Sequence, residues 1–190
     1  MGVPGGRPPG STRQFEVLRL LDDKDTACTL CEKIGSADIV YVGGGNTKKM
    51  IEGWKKRKVD VLLKKAFERG IILSGLSAGS IFWFEKGISD SNSFESEEWE
   101  YCFVNGLGIV PGCYCPHYGD RRGELKFKDF VTTNRGKILA VENCCSLVAK
   151  NGKYWILKGH ENAKAYIIES KNGEIEEMEI GEEGMLDEIV

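Results

Sequence analysis

Gly75-Leu76-Ser77-Ala78-Gly79 puts a serine at the centre of a G-x-S-x-G pentapeptide. The apolar run Ile71-Ile72-Leu73 precedes it, and Ile81-Phe82-Trp83-Phe84 follows. The pattern reads as strand, sharp bend and helix, a nucleophile elbow with its hydroxyl on the bend. Glycines on both sides allow backbones to approach closely where a Cβ would collide. The chemistry such a serine can do is acyl transfer, but only if a base removes its proton. Without a base the pentapeptide is only a small-residue turn, so the other reactive groups decide.

The chain has two histidines, His117 and His160. His117 lies in Cys115-Pro116-His117-Tyr118, at the predicted end of a strand, and is the candidate base. His160 lies in Lys158-Gly159-His160-Glu161-Asn162, which reads as an exposed turn. A serine–histidine pair needs a group that fixes the imidazole tautomer. Asp90 gives the chain order Ser, Asp, His; Glu142 and Asp120 are the competitors. Donors for a developing oxyanion would be the Ala78 N–H, just past the serine, and a glycine N–H from Gly43-Gly44-Gly45. That triple glycine fits neither G-x-G-x-x-G nor G-x-x-x-x-G-K-[ST], so a phosphate cradle is disfavoured.

Seven cysteines raise the question of metal or disulfides. Cys28-x-x-Cys31 is a half-site without a second C-x-x-C, and Cys113-x-Cys115 has poor spacing for structural zinc. The sequence predicts reduced thiols rather than a metal site. The N-terminus has no apolar h-region, so a cytoplasmic chain is expected. No apolar run approaches the roughly 20 residues of a membrane span. The net charge is −3, from 26 basic and 29 acidic residues, and no basic stripe is interleaved with aromatics, which disfavours nucleic acid as a partner.

The elements around these residues alternate between strand and helix. With 190 residues, 41% of them hydrophobic, the chain fits one α/β domain. Residues 1–14 are rich in Gly and Pro and are expected to be disordered; residues 15–190 form the domain. A strand is expected near Phe15–Leu21, a helix over Asp22–Ile34, and a buried parallel strand over Asp38–Val42. Helices are predicted over Lys48–Lys58 and Val59–Arg69, then the strand before Ser77 and a helix through Ile81–Phe84. Ile88–Glu100 reads as a polar loop that could lie over the serine. Short strands follow at Phe103–Ile109 and Cys113–Tyr118, and a helix at Arg122–Asn134. The remainder is strands, with tight turns at Asn151-Gly152 and Asn172-Gly173. The triple glycine and the serine both fall at carboxyl ends of strands, where sites of open α/β sheets sit.

Three motifs, Val42-Gly43-Gly44-Gly45-Asn46-Thr47, Ser77-Ala78-Gly79 and Pro116-His117-Tyr118, resemble those of the peptidase E family of serine peptidases. Aspartyl dipeptidases and, more distantly, cyanophycinase belong to it. The resemblance runs from about Asp38 to Ile168. It implies a fold similar to class I glutamine amidotransferases: a flavodoxin-like three-layer sandwich with a mostly parallel sheet. It implies Ser77 as nucleophile, His117 as base, Asp90 where the family's third member falls, Gly44 or Gly45 with Ala78 as oxyanion hole, and neither metal nor cofactor. The substrate would be a small peptide, with an N-terminal Asp as one option. Asn46 and Arg121 are then the candidate substrate contacts, and Arg122 is a neighbouring cation. The alternatives are a cyanophycinase-like hydrolase and an inactive member of the fold. Family members usually carry about two β–α units before the Val42 strand. Here only a short segment precedes it, so a sheet edge is expected to be uncovered or covered by a partner, including a second copy.

Overall fold

The structure, a computed structural model, describes residues 14–20, 24–94, 96, 99–119, 124–134 and 136–190. The disorder expected for residues 1–14 falls almost entirely outside them. The first helix, α1 (Ala27–Ser36), starts at Thr26, whose hydroxyl accepts the Thr29 N–H at 3.2 Å. Leu30 and Ile34, one turn apart, are its buried residues. The helix begins later than its sequence suggested, and Ala27 is exposed. Asp25 is buried instead, accepting from Lys33 Nζ at 2.7 Å and from the Arg19 N–H at 2.5 Å. Those bonds, the lysine's foremost, hold its carboxyl below the usual range. The strand expected near Phe15 is irregular chain, with Phe15 and Val17 exposed. Arg57 pins this segment by donating to the Leu20 carbonyl at 3.1 Å.

The chain then runs β1 (Ile39–Val42), α2 (Thr47–Lys56), α3 (Val59–Glu68), β2 (Ile72–Gly75), α4 (Ala78–Ile81) and β3 (Phe84–Ser89). After a 3-10 turn at Ser91–Phe94 come β4 (Cys102–Asn105), β5 (Val110–Pro116), α5 (Glu124–Thr133) and β6 (Ile138–Val141). The rest is β7 (Cys145–Lys150), β8 (Lys153–Lys158), β9 (Ala165–Lys171), β10 (Glu174–Glu179), β11 (Glu183–Met185) and α6 (Leu186–Ile189). Among the described residues no helix is long and apolar enough to cross a membrane.

The main sheet has six strands in the order β10-β9-β6-β5-β3-β4. Its centre, β3-β5-β6, is parallel, while β4, β9 and β10 join antiparallel. A separate parallel pair is β1-β2, and β11-β8-β7 is a small antiparallel sheet. The pairing is therefore mixed rather than mostly parallel. Tight turns account for two of the antiparallel pairs, β7–β8 and β9–β10. Asn151 and Gly152, both at positive φ, connect β7 to β8, and Asn172 and Gly173 do the same between β9 and β10.

Alternation along the strands builds two cores. On β6, Leu139 and Val141 face one side, with Tyr114, Ile167 and the β8 residues Tyr154 and Ile156. Ile138 and Ala140 face the other, with Cys113, Cys115, Ile168 and the α5 residues Phe127 and Val131. All four β6 residues are buried, as expected of a strand covered on both faces.

Two expectations need correction. The helix after Ser77 is a single turn: β3 starts at Phe84, and Phe82 and Trp83 fill the core between them. The strand β1 is parallel, as expected, but not buried. Ile39, Tyr41 and Ile72 are 57%, 62% and 60% exposed, and Ile39 pairs with Ile72. An apolar stripe thus lies open on the outer face of β1-β2.

A candidate active site at the carboxyl ends of the parallel strands

Parallel strands all present their carboxyl ends at one edge. Here β1 ends at Gly43-Gly44-Gly45, β2 at Leu76-Ser77, β3 at Asp90, β5 at His117 and β6 at Glu142-Asn143. A cleft of about 300 Å³ opens there. Ser77, Ala78, Gly45, Asp90 and His117 all line it.

The elbow explains both glycines of the pentapeptide. A Cβ on Gly75 would sit 2.2 Å from the Gly79 carbonyl oxygen, and one on Gly79 would sit 2.2 Å from that of Val42. The turn therefore seats α4 directly on the end of β1. Ser77 takes φ 56° and ψ −120°, a conformation that costs a non-glycine residue about 1–3 kcal/mol. Its carbonyl faces into α4, accepting from Ser80 Oγ at 2.6 Å and from the Ser80 N–H at 2.9 Å. The Ala78 N–H opens the helix, where no preceding turn offers an acceptor. Gly44 packs on the serine: a Cβ there would lie 3.7 Å from Ser77 Oγ. Gly45 has φ 150° and lines the cleft beside it.

His117 is also at positive φ, 57°, and the Tyr118 N–H anchors its loop to the Val141 carbonyl at 3.0 Å. Its Nδ1 lies 2.5 Å from Asn143 Oδ1. Because Oδ1 only accepts, Nδ1 is the donor, and in the neutral ring that tautomer leaves Nε2 as the acceptor. Asn143 is the residue that sequence reasoning missed. The signal available was its place beside Glu142 at the end of β6; carboxylates drew the attention instead.

The three carboxylates separate. Asp90 faces the cleft. Glu142 turns to β9, where Oε2 accepts the Lys164 N–H at 2.9 Å and Oε1 is 3.4 Å from the Tyr166 hydroxyl. Asp120 lies outside the described residues, as do Arg121 and Arg122. Asn46, expected to touch substrate, has both polar atoms engaged in the scaffold. Its Oδ1 caps α2 at the Lys49 N–H, 3.1 Å away, and its Nδ2 donates to the Ser91 carbonyl at 3.1 Å. With Thr47 Oγ1–Ser89 Oγ at 2.9 Å and Ser89 Oγ–Ser91 Oγ at 2.8 Å, this ties the glycine loop to the loop carrying Asp90. His160 sits in an exposed turn, away from the residues that line the cleft.

Two of the thiols are held in the protonated form. Burial pushes the Cys113 thiol up to about 11. A hydrogen bond to Glu32 raises that of Cys28. The zinc set weighed from the sequence does not assemble: Cys28 and Cys31 lie exposed on α1, whereas Cys113 and Cys115 are buried in β5.

Comparisons with known proteins bear on the family to which the chain belongs. A family model described as peptidase family S51 matches residues 11–157. An uncharacterised peptidase of Bacillus subtilis strain 168, YgaJ, is 36% identical over 102 residues, covering 52% of this chain and 42% of that protein. The chain thus spans less than half the length of that relative. The crystal structure of a peptidase from an acI-B1 Actinobacterium superposes with a TM-score of 0.60 at 15% identity, covering 82% of this chain and 62% of that one. A candidate peptidase E from Listeria monocytogenes EGD-e gives 0.48 at 18% identity, covering 83% and 67%. The first of these structures shares the mixed α/β fold. By the extent of the family match, and by the three motifs that frame its cleft, the chain belongs to peptidase family S51, the peptidase E family.

Proposed function

We propose that the chain is a serine peptidase acting on small peptides, with Ser77 as nucleophile and His117 as general base. The observation that carries this is the shared cleft: a strained elbow serine and a histidine whose Nδ1 meets Asn143 line one cavity. Ser77 Oγ attacks the scissile carbonyl as its proton passes to His117 Nε2. The N–H groups of Ala78 and of Gly44 or Gly45 receive the developing oxyanion. Collapse expels the amine, which takes the proton from the imidazolium. Water then attacks the acyl-enzyme with His117 again as base, and Ser77 regains its hydrogen.

Asn143 holds the imidazole in the tautomer this requires, as asparagine does in Cys-His-Asn proteases. Asp90, the third member expected from the family resemblance, lines the same cleft, and its role in this reading is to stabilise the imidazolium through its charge. Asn46 acts on the site indirectly, by clamping the glycine loop. The flavodoxin-like arrangement expected from the sequence fits the parallel centre of the sheet. Cleavage as a dipeptidase or exopeptidase fits the small cleft. Isopeptide-linked polymers of the cyanophycin type are the alternative substrate, and a panel of dipeptides set against cyanophycin separates them.

Fluorophosphonate labelling followed by peptide mapping is the direct test: the adduct should sit on Ser77, and an unlabelled protein would overturn the assignment. Asn143→Ala should lower kcat roughly 10- to 100-fold with little change in KM, since a base out of register loses part of the 10²–10⁴-fold that proton transfer supplies. Asn143→Asp should restore most of it. If Asn143→Ala is silent while Asp90→Asn costs more than that, Asp90 is the orienting group.

Self-association through the open Ile39–Tyr41–Ile72 stripe accompanies this reading. Sedimentation should show a concentration-dependent dimer that Ile72→Lys converts to monomer. A native protein that stays monomeric at about 100 μM would remove it; that is roughly 100 times the Kd expected of a μM interface.

A further inference from the structure

Thr47, Ser89 and Ser91 are buried hydroxyl residues that meet beside the cleft, and the first two line it. Ser89 Oγ stands in the middle. It lies 2.9 Å from Thr47 Oγ1 and 2.8 Å from Ser91 Oγ, and it accepts the Ser91 N–H at 3.2 Å. Ser91 Oγ in turn accepts the Lys48 N–H at 3.2 Å. Lys48 Nζ adds a bond to Asn92 Oδ1 at 2.5 Å. This chain of hydroxyls joins the residues on both sides of Asp90 to the residues just past Gly45. Apolar side chains of the same shape would fill the space at little cost in stability. What hydroxyls add is a preferred length and direction of contact, which a methyl group does not impose.

We propose that Thr47 and Ser89 are positioning residues, whose hydrogen-bonded hydroxyls hold the glycine loop and Asp90 in one register around the elbow serine. The inference rests on the serine-peptidase reading above and adds what keeps its parts aligned. Neither side chain takes the serine proton or receives the oxyanion. Each acts through its neighbours: Thr47 through the N–H groups of Gly44 and Gly45, Ser89 through Asp90. Because the two hydroxyls bond to each other, removing either one releases both loops. A misplaced donor is felt as charge develops on the substrate oxygen, so the loss falls on kcat rather than on KM.

The test separates the hydroxyl from its packing. Thr47→Val keeps the shape of the side chain and removes the hydroxyl, Thr47→Ser does the reverse, and Ser89→Ala removes the middle of the chain. Fluorophosphonate labelling gives two readouts, a rate constant and a final extent, and its phosphonyl oxygen takes the place of the oxyanion. Thr47→Val and Ser89→Ala should label to the native extent with a rate constant at least about 10-fold lower, a part of the 10²–10³-fold that follows complete loss of an oxyanion donor. For a small peptide, kcat should fall by a similar factor while KM changes little. Thr47→Ser should recover most of the native rate. The double variant Thr47→Val with Ser89→Ala should be little slower than the slower single variant, because the two hydroxyls act as one unit. Native labelling rates in Thr47→Val and Ser89→Ala overturn the inference. Equal losses in Thr47→Ser and Thr47→Val also overturn it, since they assign the effect to packing. A reduced extent at the native rate does the same, as the mark of partial unfolding alone. A native protein that does not label counts instead against the peptidase reading, so the two failures are distinct.

Discussion

Ser77→Ala is expected to abolish fluorophosphonate labelling and to reduce peptide hydrolysis by at least about 10⁴-fold, the scale on which loss of a serine nucleophile is felt. His117→Gln should cost nearly as much, and the double variant little more than either, because the two act as one unit. Neither change should unfold the protein. Ser77 is only partly buried, and its backbone, not its side chain, makes the bonds to Ser80. Alanine at φ 56° keeps the same strain as serine, so melting temperatures should agree within a few degrees. Residual hydrolysis within about 10-fold of native in Ser77→Ala would sink the mechanism. The positive φ at both Ser77 and His117 would then be strain without a catalytic use.

Gly79→Ala should be strongly destabilising. Its Cβ would stand 2.2 Å from the Val42 oxygen and 2.7 Å from the Gly43 oxygen. Both are backbone atoms of a paired strand end and cannot swing away. The helix turn α4 must lift off β1, and we expect a loss above about 3 kcal/mol. At roughly 2–4 °C per kcal/mol for a domain of this size, the melting temperature falls by about 6–12 °C. Activity should fall further than stability, because the same displacement separates the Ala78 N–H from the glycine loop. Gly53→Ala supplies the opposite sign. Gly53 lies inside α2 with nothing within 4 Å of an added methyl, so the change should stabilise by about 0.5–1 kcal/mol through helix propensity. Thermal unfolding of the two variants side by side checks both. A Gly79→Ala protein that melts with the native one would contradict the seating of α4 on β1.

Much of this architecture was legible in the chain. Helices α2 and α3 follow from apolar spacing and differ from expectation by a residue or two at their ends. The two Asn-Gly turns named their hairpins, because a two-residue turn with both φ positive admits few other residues. Ser77 and His117, chosen for their types and their places after strands, line one cleft. Other features were not legible. Phe82-Trp83-Phe84 carries no period that separates a continuing helix from the start of β3; burial on all sides decided it. The run Asp38–Val42 reads as a buried strand from composition alone. Whether anything covers Ile39 and Tyr41 depends on neighbours that local sequence does not specify.

What the sequence determined is therefore the local chemistry: a serine on a glycine-framed bend, a histidine ending a strand, and turns that allow only certain residues. Those features depend on backbone sterics within a few positions, so reading along the chain suffices. What only the tertiary structure decided is partnership over distance. Asn143 reaches the His117 ring across 26 positions, and Glu142, one residue earlier, is drawn to Lys164, just before β9, and to Tyr166 on it. Adjacent side chains at the end of a strand point to opposite faces of the sheet. Which of them meets the imidazole is set by how β6 packs between β5 and β9, and that packing is a property of the assembled sheet.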